Sequence, residues 1–350
     1  MPQAPTREPA QPATREIASQ QETTSQAEFE LQTGITLTRN GRFSEAIPHF
    51  LAARGHVSEE FAAEFNLALC YAGVGQPSKA ISILEALRKG SHEGAGVENL
   101  LSQAYEGNDQ PKEAIQAFQK AVTFTPKDEK LYLLVAATFL EKQDYVQGLQ
   151  VLQVGLRNLP DSARLHYELA YGLWQLEEPG MAKPEFERSA ALAPHSAIGY
   201  LAAAQESFML DDLSQAIETA RAGILEGFAD YQLLCLLGDA LIHNGTSPGK
   251  PEFAEARQAV EKSIAARPNY ASSQIALGRI LLEEEQFDAA IEHLELGHKL
   301  APQNPTPCLL LATAYRKRGQ PGRAQTMLAM VDKLNQEQAQ KRRQALDENH

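Results

Sequence analysis

Residues Asp109–Pro126 read DQPKEAIQAFQKAVTFTP. The stretch opens on a turn signal, continues with small and large apolar residues at helical spacing, and stops at a proline, which cannot continue a helix. Versions of it recur as GQPSKAISILEALRKG from Gly75, QFDAAIEHLELGHKLAP from Gln286 and GQPGRAQTMLAMV from Gly319. Ala114 serves as a ruler. Steps of 34 residues back reach Ala80 and Ala46, and steps forward reach Gly148, Ala182 and Ala216. The next small residue, Ala256, comes six residues late, and from there the step to Ala290 and Ala324 is 34 again. A fixed period of this length marks a repeat architecture.

Other columns keep the same period. Four residues after the ruler stand Phe50, Leu84, Phe118, Leu152, Phe186, Val260, Leu294 and Leu328. Twelve after it stand Pro126, Pro160, Pro194, Pro268 and Pro302. Nine before it come Tyr71, Tyr105, Phe139 and Leu173, and twelve before it Gly34, Ala68, Ser102, Ala136, Ala170, Ala204, Gly278 and Ala312. Spacings of three and four place the apolar residues of each half-unit on one helix face. Turn signals such as NGR, GQP, NDQP, EEPG and NGTSPG fall between the halves, so each unit is a pair of helices. One pair cannot bury its own apolar face, but stacked neighbours can.

This pattern resembles the tetratricopeptide repeat (TPR), with a small residue and an aromatic in the first helix and A-x3-F and P in the second. The resemblance spans residues 27–334, with repeats placed at 27–60, 61–94, 95–128, 129–162, 163–196, 197–230, 231–270, 271–304 and 305–338. It implies an all-α, right-handed superhelical solenoid of about nine helix-turn-helix units. No repeat carries the family's Trp at its fourth position. Ala220 and Phe228 replace the usual Phe and Pro in the sixth repeat, and Pro184 inside the second helix of the fifth is expected to kink it. Residues 1–26, rich in Pro, Gln and Thr, are expected to be disordered, and 339–350 to be a polar helix end and tail. The six extra residues are expected in a surface turn around TSPGKP, residues 246–251.

Composition narrows the function. The 350 residues carry a net charge of −13, which repels nucleic acid and anionic membranes. The longest apolar run, Leu131–Leu140, is too short to cross a bilayer. The N-terminus has no charged-apolar-small leader, and it is compatible with either a cytoplasmic start or the mature end of an exported, periplasmic protein. Cys70, Cys235 and Cys308 are isolated in apolar stretches and are read as small buried hydrophobes. Motifs for catalysis are wanting. GTSPGK (Gly245–Lys250) is one residue short of a phosphate loop and lacks the Ser or Thr after its lysine, His293 and His298 are five apart rather than on one face, and there is no HExxH or GxSxG. The sequence calls for no cofactor and no metal, and repeats leave no room for a catalytic domain.

The resemblance implies that positions 2, 5, 6, 9, 12 and 13 of each repeat line a concave groove. There the fifth repeat offers Tyr167, Tyr171 and Trp174 at i, i+4 and i+7, the sixth adds Phe208 and Met209, and Arg279, Arg316 and Lys317 supply positive charge downstream. These residues read either as an aromatic platform with a basic end for a carboxylate, or as packing between repeats. The family's carboxylate clamp is not matched: Leu31, Ile35, Gly96 and Leu100 stand where it needs polar residues, and only Asn66 fits. An asparagine ladder is not matched either, with Gln32, Asn66, Leu100, Leu134 and Glu168 in its column. The expected function is a non-enzymatic scaffold that binds an extended peptide or partner helix. The alternative is a regulatory or targeting subunit of an enzyme or envelope assembly complex whose catalytic part is on another chain. Self-association through the end repeats is a third reading.

Overall fold

The computed structural model describes residues 12–90, 92–141 and 144–347, which form helices joined by turns, with no strand among them. The helices come in pairs: α1 Pro12–Arg39 with α2 Phe43–Ala53, α3 Glu60–Gly73 with α4 Pro77–Lys89, and α5 Ala95–Gly107 with α6 Pro111–Phe124. The next are α7 Glu129–Glu141 with α8 Tyr145–Asn158, α9 Ala163–Gln175 with α10 Pro179–Leu192, and α11 Ala197–Met209 with α12 Leu213–Leu225. The last are α13 Tyr231–His243 with α14 Pro251–Ala266, α15 Ala271–Glu283 with α16 Phe287–Leu300, and α17 Thr306–Lys317 with α18 Pro321–Asp347. Among the described residues, helices pack mainly on elements one or two places away in chain order, and the Arg164 guanidinium of α9 also donates to Gln232 of α13 at 3.2 Å. That is the connectivity of a solenoid. None of these helices is long and apolar enough to cross a membrane.

The repeated columns account for this packing. Every alanine of the ruler is buried: Ala46, Ala80, Ala114, Ala182, Ala216, Ala256 and Ala290 are fully enclosed and Ala324 nearly so. The large residues four places on are buried too, from Phe50 to Leu294, and only Leu328 in the final helix is exposed. Each such side chain contributes roughly 1.5–3 kcal/mol through its burial. The small column of the first helix makes the seat for the large residue of the second. A Cβ added to Gly34 would stand 2.8 Å from the Phe50 ring, and one added to Gly278 would stand 2.5 Å from Leu294. Where the small residue is Ser102, its hydroxyl donates to the Ala114 carbonyl at 2.8 Å and ties the two helices of that pair together.

The prolines end the second helices. Helices α6, α8, α10, α14 and α16 each stop two residues before one, and the intervening residue leaves the helical region, with φ between −144° and −133° and ψ between 55° and 87°. A residue before proline is pushed out of the helical region by the ring. The turn within a pair is equally uniform. Gly41, Gly75, Asp109, Glu177, Asp211, Gly245, Glu285 and Gly319 all have φ between 58° and 80° at the same place in their units. Four of these are not glycine, and each holds a left-handed conformation at a cost of about 1–2 kcal/mol. Ser162, Ser196, Asp212 and Asp230 cap their helices by accepting a backbone N–H.

The chain divides into two compact units, residues 1–131 and 132–350. The first has a core around Leu31, Phe50, Leu67 and Cys70. The second has one around Phe253, Val260, Ile280, Leu294 and Tyr315. Several details depart from the sequence reading. Residues 12–26, expected to be disordered, belong to helix α1, because between Pro12 and Gly34 nothing breaks a helix. Residues 1–11 and 348–350 lie outside the described residues. Pro184 lies inside helix α10, where the sequence reading put it. The six extra residues are divided between a turn and a helix. The turn 244–250 has seven residues where the turn 176–178 has three, and α14 has 16 residues where α10 has 14.

Candidate inner-face site

The second unit turns the first helices of successive pairs onto a shared face, since α9 packs on α11, α11 on α13, α13 on α15 and α15 on α17. On α9, Tyr167, Tyr171 and Trp174 follow one another along one side. Tyr167 and Tyr171 stack at 6.2 Å between centroids, and Tyr171 meets Trp174 edge-on at 5.7 Å. Trp174 reaches across to Phe208 of α11 at 6.3 Å, again edge-on, and Phe208 reaches His243 of α13 at 5.4 Å. These separations and tilts match the quadrupole preference of aromatic pairs. The row thus crosses three helices without a gap.

At its far end the row becomes polar. His243 Nδ1 donates to the Asp239 carbonyl one turn earlier, at 2.8 Å, which leaves Nε2 to accept from Arg279 Nη1 of α15, also at 2.8 Å. Asp239 lies on the same side of α13, half-buried, and its carboxylate makes no hydrogen bond or ion pair among the described residues. Burial pushes its pKa up, against the opposing pull of Arg279 and then His243. The Tyr171 phenol is pushed up to about 12, first by burial and then by the nearby Glu168, Cys235, Tyr145 and Asp239. Glu168 has an ion-pair partner in Arg164 at 2.8 Å. Burial still raises its pKa more than Arg164 lowers it. Arg164 also sits over the Tyr167 ring at 5.6 Å, and Arg267 sits over the Tyr231 ring at 4.9 Å.

The residues expected in the groove divide into four groups. Tyr171, Trp174 and Phe208 are half-buried members of the row, and Met209 is half-buried at the end of α11. Tyr167 is only 3% exposed and meets Phe186 edge-on at 5.7 Å, so it packs between helices. Arg279 is engaged by His243 rather than free, and it joins the row through that contact. Arg316 and Lys317 are exposed at the end of α17, and Lys317 shares a shallow cleft with Arg279, Leu282, Phe287 and Leu310. Asp239 and His243 occupy groove positions 9 and 13 of the seventh repeat but stand outside the aromatic and basic residues that mark the groove in the sequence. The three cysteines are buried and free, as expected. Among the described residues no group of His, Cys, Asp and Glu is placed to hold a metal.

Comparison with known proteins agrees with the fold. Tetratricopeptide repeat family models match residues 31–93 and 252–305, 99–128, and 281–346. A solved tetratricopeptide repeat protein from Parabacteroides merdae is similar at a TM-score of 0.53 and 16% identity, over 72% of this chain and 97% of that one. A chain of the APC/C hetero-tetramer Cut9–Hcn1 is similar at a TM-score of 0.52 and 16% identity, over 95% of this chain and 70% of that one. No match was found among curated proteins. The family models together cover more than half of the sequence, at the period the buried alanines keep, and the chain belongs to the tetratricopeptide repeat family.

Proposed function

We propose that the protein is a non-enzymatic interaction scaffold that holds an extended peptide or a partner helix along the inner face of its second unit. The observation that carries this reading is the aromatic row from Tyr171 through Trp174 and Phe208 to His243, half-buried to exposed along three first helices. Rings held rigid by their neighbours lose little entropy on binding, and partly exposed aromatics often dominate interface energy. The side chains along the row offer contact area and hydrogen bonding, with no nucleophile–base pair among them.

Trp174, the single tryptophan, provides the test. Acrylamide should quench its emission in the free protein, and a bound partner should shield it. Trp174→Ala should weaken binding by about 2 kcal/mol or more while moving the unfolding midpoint little. A blue-shifted, fully protected tryptophan together with a loss of about 3–5 kcal/mol of stability would assign the ring to packing instead.

A further inference from the structure

The inner face holds one cation between an aromatic ring and a carboxylate, and further along it has aromatic rings and a carboxylate with no cation over the rings. Where the cation is present, Arg164 lies over the ring of Tyr167 at 5.6 Å and pairs with Glu168 at 2.8 Å. A cation is thus held between an aromatic face and a carboxylate. In the other place the aromatics are Tyr171 and Trp174, edge-on to each other, and the carboxylate is Asp239, one turn before the His243 that the row reaches through Phe208. No cation of the chain sits over Tyr171 or Trp174 among the described residues, and none lies within ion-pair distance of Asp239. The nearest candidate, Arg279, is held by the Nε2 of His243. His243 spends its Nδ1–H on a backbone carbonyl, so Nε2 is the ring atom that accepts from Arg279.

Building on the groove reading above, we infer that this face receives a basic side chain, an arginine or lysine of the bound segment, seated against Tyr171 and Trp174 with its charge toward Asp239. Aromatic faces attract cations, most strongly where water is partly excluded. A half-buried carboxylate without an ion-pair partner gains when an opposite charge arrives. The −13 net charge of the chain also draws a basic segment in from a distance. This inverts the expectation of a basic end for a carboxylate, because Arg279 already has a partner and Arg316 and Lys317 stand on α17, beyond the helices that carry the aromatic row.

The test uses the full chain and a library of random linear heptapeptides displayed on phage. Selected peptides are synthesised and titrated against Trp174 fluorescence. Arginine or lysine should be enriched at one position. Replacing that residue by its neutral analogue, citrulline or norleucine, should weaken binding to the wild-type chain by about tenfold or more. The same replacement should matter little for Asp239→Asn, and Arg279→Gln, which removes the cation that pulls on Asp239 from α15, should strengthen binding of the basic peptide. The peptide-side exchange needs no change to the protein, so a folding defect in either variant cannot hide the answer. Peptides that shield Trp174 but need no basic residue, or that are enriched in Asp and Glu and lose affinity in Arg279→Gln, would overturn the cation seat and leave the groove standing. If no selected peptide perturbs Trp174, the groove reading fails and the cation seat fails with it.

Discussion

Glu98 of α5 is the least comfortable residue in the first unit. It is fully buried, and neither carboxylate oxygen has a hydrogen-bond partner. Arg88 of α4 and Lys120 of α6 approach it only to 3.6 Å and 3.8 Å. Burial raises its pKa, outweighing Arg88 and Lys120. The carboxyl therefore favours the folded state when protonated, below the ordinary glutamate range. That contribution is lost as pH rises through the elevated folded pKa. Glu98→Gln should thus raise stability at neutral pH and flatten the pH dependence just above the ordinary glutamate pKa. Urea unfolding of both chains across that range checks it, and a less stable variant at pH 7 would mean that the two cations compensate the charge. None of this could be read from the sequence, where Glu98 is one of many glutamates in a repeat. Its burial depends on how α4 and α6 close over α5.

Among the elements, the extended seventh pair gives the sharpest expectation. The turn 244–250 contributes four of the extra residues and α14 the other two. Halving a loop changes its closure entropy by only about 0.6 kcal/mol. Deleting Thr246–Gly249 should therefore leave far-UV helicity and the cooperative transition nearly unchanged. A deletion that continues through Pro251 removes the first residue of α14 and should lower helicity. Circular dichroism with thermal melts separates the two. The existence and place of the insertion were legible as a six-residue slip in the alanine column. Its division between turn and helix was not, because Pro251 is a legal first residue of a helix and the pattern does not say how far upstream a helix starts. Helix α1 makes the same point, since its early residues have polar composition but no breaker.

For the whole molecule, the consequence is that damage should stay local. Ala114 is fully buried against the pair it belongs to, and described helices pack mainly on near neighbours in the chain. Ala114→Phe would overpack this contact at a cost of roughly 1–3 kcal/mol. Hydrogen exchange should then quicken in α4–α6 and remain as in the wild type in α15–α17. Uniform weakening along the chain would contradict a nearest-neighbour architecture.

The sequence by itself determined the fold class. A 34-residue period, a buried small residue facing a large one and a proline closing the second helix are local, one-dimensional rules, and each is satisfied within a single pair. It also determined that the aromatics at i, i+4 and i+7 of α9 share a side. Only the tertiary structure decided which of them are open: Tyr167 is enclosed by Phe186 and Arg164, while Tyr171 and Trp174 remain half-buried. It alone brought His243 to Arg279, 36 residues apart, and placed the half-buried Asp239 beside them. The reason is physical. The period fixes which face of a helix is apolar, but contacts between successive pairs depend on the packing of helices one unit apart, and no column of the repeat records that geometry.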